Sequence, residues 1–171
     1  MFHAAAALLD ESSATDVSMP TLAARARLAP AAVTAHFPSV DAMFAELYLH
    51  RISALPLAVD TTAGVTARVS AQLRSITLVM ADEPNLATAC SRSLLSTDDA
   101  AVAAVRERIG AEVHRRVAAA LGTGAWPEVL ATLETLFWGA LLQAQSRAIS
   151  YHETANRLDT MLALVLPDSD R

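Results

Sequence analysis

The chain has 171 residues, 37 of them alanine and 13 arginine with no lysine, and a formal net charge of −5. At 53% hydrophobic, 18% charged and 5% aromatic, with five glycines and seven prolines, it has a globular composition, and it lacks the turn residues that an all-β sandwich or barrel needs about every 8–12 positions. One cysteine excludes an internal disulfide framework, and the acidic balance argues against nucleic-acid binding as a property of the whole chain.

The predicted elements are all helical. Residues 3–11 form an alanine-rich helix with Leu8 and Leu9, and the stretch SSATD after it is a breaker. Ser18 stands two residues before Pro20 and reads as the N-cap of a helix running to about Arg27. A short helix over 29–36 follows, with Pro30 in its first turn, closed by Phe37 and Pro38. Ser39 and Asp41 open a longer one that carries Met43, Phe44, Leu47, Tyr48 and Leu55 and must end or kink at Pro56.

From about Gly64 the helices lengthen. Residues 65–81 carry a stripe of Val69, Leu73, Ile76 and Met80; DEPN breaks it, and a shorter helix runs to about Leu95. Asp98 and Asp99 favour the positive end of the next helix, with Val102, Val105, Ile109, Val113 and Val117 at core spacing, and Gly122 and Gly124 stop it. Pro127 opens the most apolar segment. Ser150 and Glu153 have capping-box spacing before a last helix that carries Leu158, Met161, Leu162 and Val165 and ends at Pro167. The expected fold class is therefore all-α with about nine helices. No apolar run reaches about 18 residues, so no membrane span is expected. The opening MFHAAAALLDESS carries Asp10 and Glu11 in place of a basic leader, so the expected location is the cytoplasm.

Three short helices with a tight turn between the second and third have the form of a helix-turn-helix module. AAAALLDE followed by MPTLAARARLAPAAVTAHFPSVDAMF resembles the DNA-binding domain of the TetR family of bacterial repressors. The matching positions are Ala4 to Leu9, Leu22-Ala23 with Ala26, the turn from Arg27 to Ala29, Ala31 to Phe37, and then Pro38, Ser39, Asp41, Met43 and Phe44. The stretches NLATACSRSLLSTDDAAVAAVRERIG and FWGALLQAQSRAISYHETANRLDTML are similar, in apolar spacing and a few dipeptides, to the sterol- and fatty-acyl-responsive branch of that family that includes KstR.

The resemblance implies a DNA-binding domain over residues 1–46 and a ligand-binding and dimerisation domain over 47–171. It implies a homodimeric repressor on a palindromic operator in double-stranded DNA, released by a small hydrophobic or acyl-type ligand. DNA contacts would come from Ser18, Thr21, Arg25, Arg27, Ala29, Ala31, Ala32, Thr34 and His36. Candidate ligand-lining residues are Met80, Cys90, Leu94, Phe137 and Trp138, and candidate dimer residues on the last two helices are Leu133, Leu136, Ala140, Leu141, Ala144, Leu158, Met161, Leu162 and Val165.

The chain departs from the family pattern at three positions. Arg27 stands where the turn usually has glycine, Thr34 replaces a common tyrosine, and Val40 replaces a backbone-contacting lysine. It also starts within the first helix, without the usual basic arm. Residues 1–50 hold two arginines against five acidic residues, so the module expected to meet DNA carries three negative charges in excess. Few cations means few phosphate contacts and modest affinity. With no Arg or Lys for guanine, the segment APAAVTAH has Thr34, His36 and alanine methyls to offer, an A·T-leaning and shape-dependent preference. The alternative is a TetR-fold ligand-binding or protein-interaction module that has lost operator binding. No enzyme is expected: no glycine elbow surrounds any serine. His3, His50, His114 and His152 do not cluster with Asp, Glu or Cys at ligand spacing, so neither metal nor cofactor is expected.

Overall fold

The computed structural model describes residues 1–11, 17–146 and 148–166; the SSATD stretch and Pro167 lie outside the described residues. The described residues form nine α-helices and no strand. They are α1 (Phe2–Glu11), α2 (Met19–Ala26), α3 (Pro30–His36), α4 (Val40–Ala54), α5 (Val65–Leu78), α6 (Pro84–Leu94), α7 (Ala100–Leu121), α8 (Pro127–Gln145) and α9 (Tyr151–Val165), with a 3-10 turn at Gly122–Gly124.

Most boundaries follow from capping chemistry. Ser18 caps α2 and shares a reciprocal box with Thr21: the Thr21 amide donates to Ser18 Oγ at 3.3 Å, and the Ser18 amide donates to Thr21 Oγ1 at 2.9 Å. Asp99 accepts from the amides of Ala101 (2.9 Å) and Val102 (3.3 Å) at the start of α7. Ser39 does the same for Ala42 at the start of α4, and its hydroxyl also donates to Asp99. Pro30, Pro84 and Pro127 each sit in a first turn, where a missing N–H is harmless. Gly122 has φ +63, the left-handed backbone that stops α7.

Two expected boundaries differ. α5 ends at Leu78, so Met80 lies in the turn beyond the helix, although it is buried. At α9 only half of the capping box forms. Ser150 Oγ accepts from the Glu153 amide at 3.0 Å, but the Glu153 carboxylate turns to Arg157 at 3.1 Å.

The chain divides into two compact units. The first comprises residues 1–51 with 83–108, and the second comprises 52–82 with 109–171. Two of the three boundaries fall inside α4 and α7, so each of these helices contributes to both units; the third falls between α5 and α6.

In the first unit α2 packs on α1 and α3, and α6 packs on α1. Its core includes Leu9, Leu22, Val33, Met43, Phe44 and Leu47, all buried. Polar ties fix α6 and the start of α7 in the same unit: Asn85 donates to the Leu9 carbonyl, Ser93 to Asp41, Arg51 to Glu83, and Arg108 to Glu46.

In the second unit α9 packs on α5 and on α8. The expected α7 residues Ile109, Val113 and Val117 are buried there with Leu73, Ile76 and Phe137. Arg116 is also fully buried. It donates to the carbonyls of Ile52 (2.9 Å), Leu55 (2.6 Å) and Pro56 (3.4 Å), to Gln72 Oε1 (3.3 Å), and to Glu112 Oε1 (2.7 Å). An arginine is tolerated at such depth only when its charge and donors are satisfied. Here it ties the Ile52 carbonyl, in the last turn of α4, to the Leu55 and Pro56 carbonyls just beyond the helix.

Candidate nucleic-acid interface

The turn between α2 and α3 is built from its backbone outward. Arg27 sits at φ 55, ψ 41, the only positive φ among the described non-glycine residues. The Arg27 amide donates to the Ala24 carbonyl (3.1 Å) and the Leu28 amide to the Ala23 carbonyl (2.9 Å). Together these bonds form a Schellman motif, the usual setting of a glycine. A residue with a Cβ is strained in the left-handed region by about 1–2 kcal/mol. The arginine expected at a glycine position thus keeps the glycine's backbone.

Beyond the turn, Ala29 is extended (φ −65, ψ 132) and Pro30 starts α3. Val33 is the buried residue of α3; Pro30, Ala31, Ala32, Thr34, Ala35 and His36 are exposed. Thr34 Oγ1 donates back to the Pro30 carbonyl at 3.0 Å. Phe37, the C-cap, is half-buried with its ring 5.9 Å from that of Phe2, which lies 5.2 Å from the His50 ring. Those ring contacts hold the exit of α3 against α1 and α4, a packing role for Phe37.

All nine expected DNA-contact residues lie in this segment, and all are exposed except the half-buried Ser18. Their charge is unevenly available. Arg25 is ion-paired with Glu11, a partner 14 positions away with no periodic signal in the sequence. The guanidinium of Arg27 has no partner among the described residues. Ser18 and Thr21 are occupied with capping each other, so their role at this surface is to start α2.

The expected ligand-lining residues are divided between the two units. Cys90 and the half-buried Leu94 belong to the first unit; Met80, Phe137 and Trp138 belong to the second. Phe137 is fully buried and Trp138 is 37% exposed, with the two rings edge-to-face at 5.2 Å. Burial pushes the Cys90 thiol up to about 12, so it stays protonated and unreactive.

On the last two helices Leu133, Ala140, Leu141, Ala144, Leu158 and Leu162 are buried within the single chain. Leu136 and Met161 are half-buried, and Val165 is exposed. Besides Val165, the large apolar groups that α8 and α9 turn to solvent are Trp138, Leu142 and Leu164. An open depression of about 330 Å³ on α8 is lined by Ala131, Thr132, Thr135 and Leu136.

Comparison with known proteins decides the family. The profile of bacterial regulatory proteins of the tetR family matches residues 2–47. Uncharacterised HTH-type transcriptional regulators of Mycobacterium bovis and Mycobacterium tuberculosis are 44% identical over 164 residues, 95% of this chain and 77% of theirs. The chain belongs to the TetR family of transcriptional regulators. Its fold is that of a TetR transcriptional regulator from Rhodococcus sp. RHA1, whose crystal structure superposes with a TM-score of 0.78 at 21% identity over 99% of this chain and 97% of that one. Among the described residues no helix is long and apolar enough to cross a membrane.

Proposed function

We propose that this TetR-family regulator is a homodimeric repressor in which residues 1–46 contact a palindromic operator and residues 47–171 dimerise and take up a ligand. The observation that carries the reading is the α2–Arg27–α3 segment: a closed Schellman turn followed by a helix exposed on every residue but Val33. In a helix-turn-helix the second helix enters the major groove, and the surface of α3 is free to do so. Two such helices set about 34–36 Å apart meet successive turns of DNA.

The dimer would use the outward stripe of α8 and α9, with Trp138, Leu142 and Leu164 at its apolar centre, because the buried leucines serve the subunit's own core. The ligand is a small hydrophobic or acyl-type molecule, after the likeness to the lipid-responsive branch, and it acts by favouring one of two spacings of the recognition helices. Native mass spectrometry tests both ideas at once. A dimer carrying a co-purified apolar ligand is the expected result, and a bare monomer refutes the assembly.

One observation favours the alternative, a TetR-fold module without operator binding: Arg25 is neutralised by Glu11, which leaves Arg27 the main cation of the surface. Fluorescence anisotropy at low salt against a random duplex library and the DNA flanking the gene separates the two. Saturable, salt-sensitive binding supports the repressor; a flat titration across all duplexes supports the alternative.

A further inference from the structure

We propose that α3 reads the 5-methyl groups of thymine, so that operator choice rests on methyl contacts in the major groove and not on hydrogen bonds to purine edges. This rests on the DNA-binding reading above. Of the exposed residues at and after the turn, Ala29, Ala31, Ala32 and Ala35 end in a methyl group. Thr34, which is exposed and whose hydroxyl is bonded to the Pro30 carbonyl, adds its γ-methyl to them. α3 contains no Arg, Lys, Asn, Gln, Asp or Glu.

Each base pair presents its own groups in the major groove. Guanine is read by Arg or Lys at O6 and N7, adenine by Asn or Gln at N6 and N7, cytosine by a carboxylate at N4, and thymine by apolar contact with its methyl. Only the last of these has a counterpart on α3. His36 is the remaining polar side chain of the helix not bonded to its own backbone. It lies in the last turn, whereas a recognition helix touches bases with its N-terminal residues, here Ala29 to Ala32. Alanine is also short enough to let the backbone come close to the base edges, which methyl–methyl contact at about 4 Å requires.

The chemistry separates the methyl from the base that carries it. 5-Methylcytosine places the same methyl in the same groove, and deoxyuridine keeps the A·T pairing and loses the methyl. The full chain would be used to enrich duplexes from a random library, and the enriched duplex then remade with deoxyuridine at single thymines. Anisotropy should show about a threefold to fivefold loss at each contacted position, the value of one buried methyl group. Replacing a contacted T·A pair by 5-methylcytosine·G should retain more affinity than replacing it by cytosine·G. Ala32→Gly should bring the thymine-to-deoxyuridine ratio to one at a single position per half-site. That ratio is insensitive to any loss of stability in the variant. An enriched duplex whose affinity is unchanged by complete thymine-to-deoxyuridine replacement overturns methyl reading and leaves DNA binding intact. Failure to enrich any duplex overturns both.

Discussion

Arg116 in the second unit and Arg27 in the first hold the same guanidinium in opposite settings. Arg116 is fully buried and shared among three carbonyls, an amide oxygen and a carboxylate. Arg27 is exposed, in a strained backbone, and has no partner among the described residues. Most other described arginines resemble Arg116 in being committed. Arg68 donates to the Ala120 carbonyl at the C-terminal end of α7 (2.8 Å) and to the Ala63 carbonyl just before α5 (2.9 Å). Arg106 donates to the Leu94 carbonyl at the end of α6 (2.9 Å) and to the Ser96 carbonyl just past it (2.7 Å). Arg51, Arg74, Arg108, Arg115 and Arg157 are paired with acids. Without lysine, the guanidinium fork serves as both helix cap and ion-pair partner. The cation count therefore overstates the charge available to DNA, and the α2–α3 surface matters because it holds an uncommitted one.

The largest effect expected from breaking this contrast is on stability. Arg116→Met removes the donors from at least five acceptors and should cost about 3–5 kcal/mol, a large share of a typical domain's total. Arg116→Lys should recover part of it, since an ammonium cannot span both the α4 carbonyls and Glu112. Urea melts followed by circular dichroism give the numbers. A Met variant with an unchanged midpoint would show that the α4 terminus does not depend on this residue.

Next come the effects on DNA. Arg27→Ala should reduce the slope of log K against log salt by about 0.9 for each subunit that loses a phosphate contact. Glu11→Gln should do the reverse by releasing Arg25, raising affinity several-fold at low salt. Salt-dependent anisotropy reads both. Equal slopes for wild type and both variants would mean that neither arginine meets the backbone.

These two arginines also show what the sequence made legible and what it did not. The helix-turn-helix module could be read because its signals are local: Ser18, Pro20, Pro30 and Phe37 each mark a boundary within a few residues of the feature they create, although the turn itself carries Arg27 in place of the usual glycine. Arg116 could not, because its acceptors outside α7 are 44–64 positions away and nothing in an amphipathic helix marks one arginine as buried. The same limit applies to the last two helices. α8 is apolar around most of its circumference, so its sequence does not say which leucines face α9 and which face outward. Leu133 and Leu141 proved to be core and Leu142 surface. Glu153 had the right spacing for a capping box but had a competing cation one turn along, at Arg157.

A smaller effect separates the two roles of Arg27. Arg27→Gly should relieve the left-handed strain and gain roughly 0.5 kcal/mol after the unfolded-state entropy of glycine is counted. DNA binding should weaken in the same variant. Opposite signs in a urea melt and an anisotropy titration would show that the residue is retained for its charge. A loss in both would place its value in packing.

The smallest effect is a dependence on pH, and it brings the comparison back to carboxylates. Hydrogen bonds from Arg115, and then from Arg116, hold the Glu112 carboxyl below its usual range in the second unit. In the first unit the Ser39 hydroxyl, followed by the amides of Val102 and Ala101, does the same for Asp99. Each group binds its proton more weakly folded than unfolded. Its contribution is therefore complete above the unfolded value, about 4.3 for Glu and 3.9 for Asp, and is lost as pH falls through the lower folded value. In Glu112→Gln the stability difference from wild type should be constant above about pH 5 and shrink steadily toward pH 3. Asp99→Asn should give the same profile with a slightly more acidic onset. A difference that persists undiminished at pH 3 would mean that Glu112 acts through shape alone, and that the Arg115–Glu112–Arg116 cluster holds together without its negative charge.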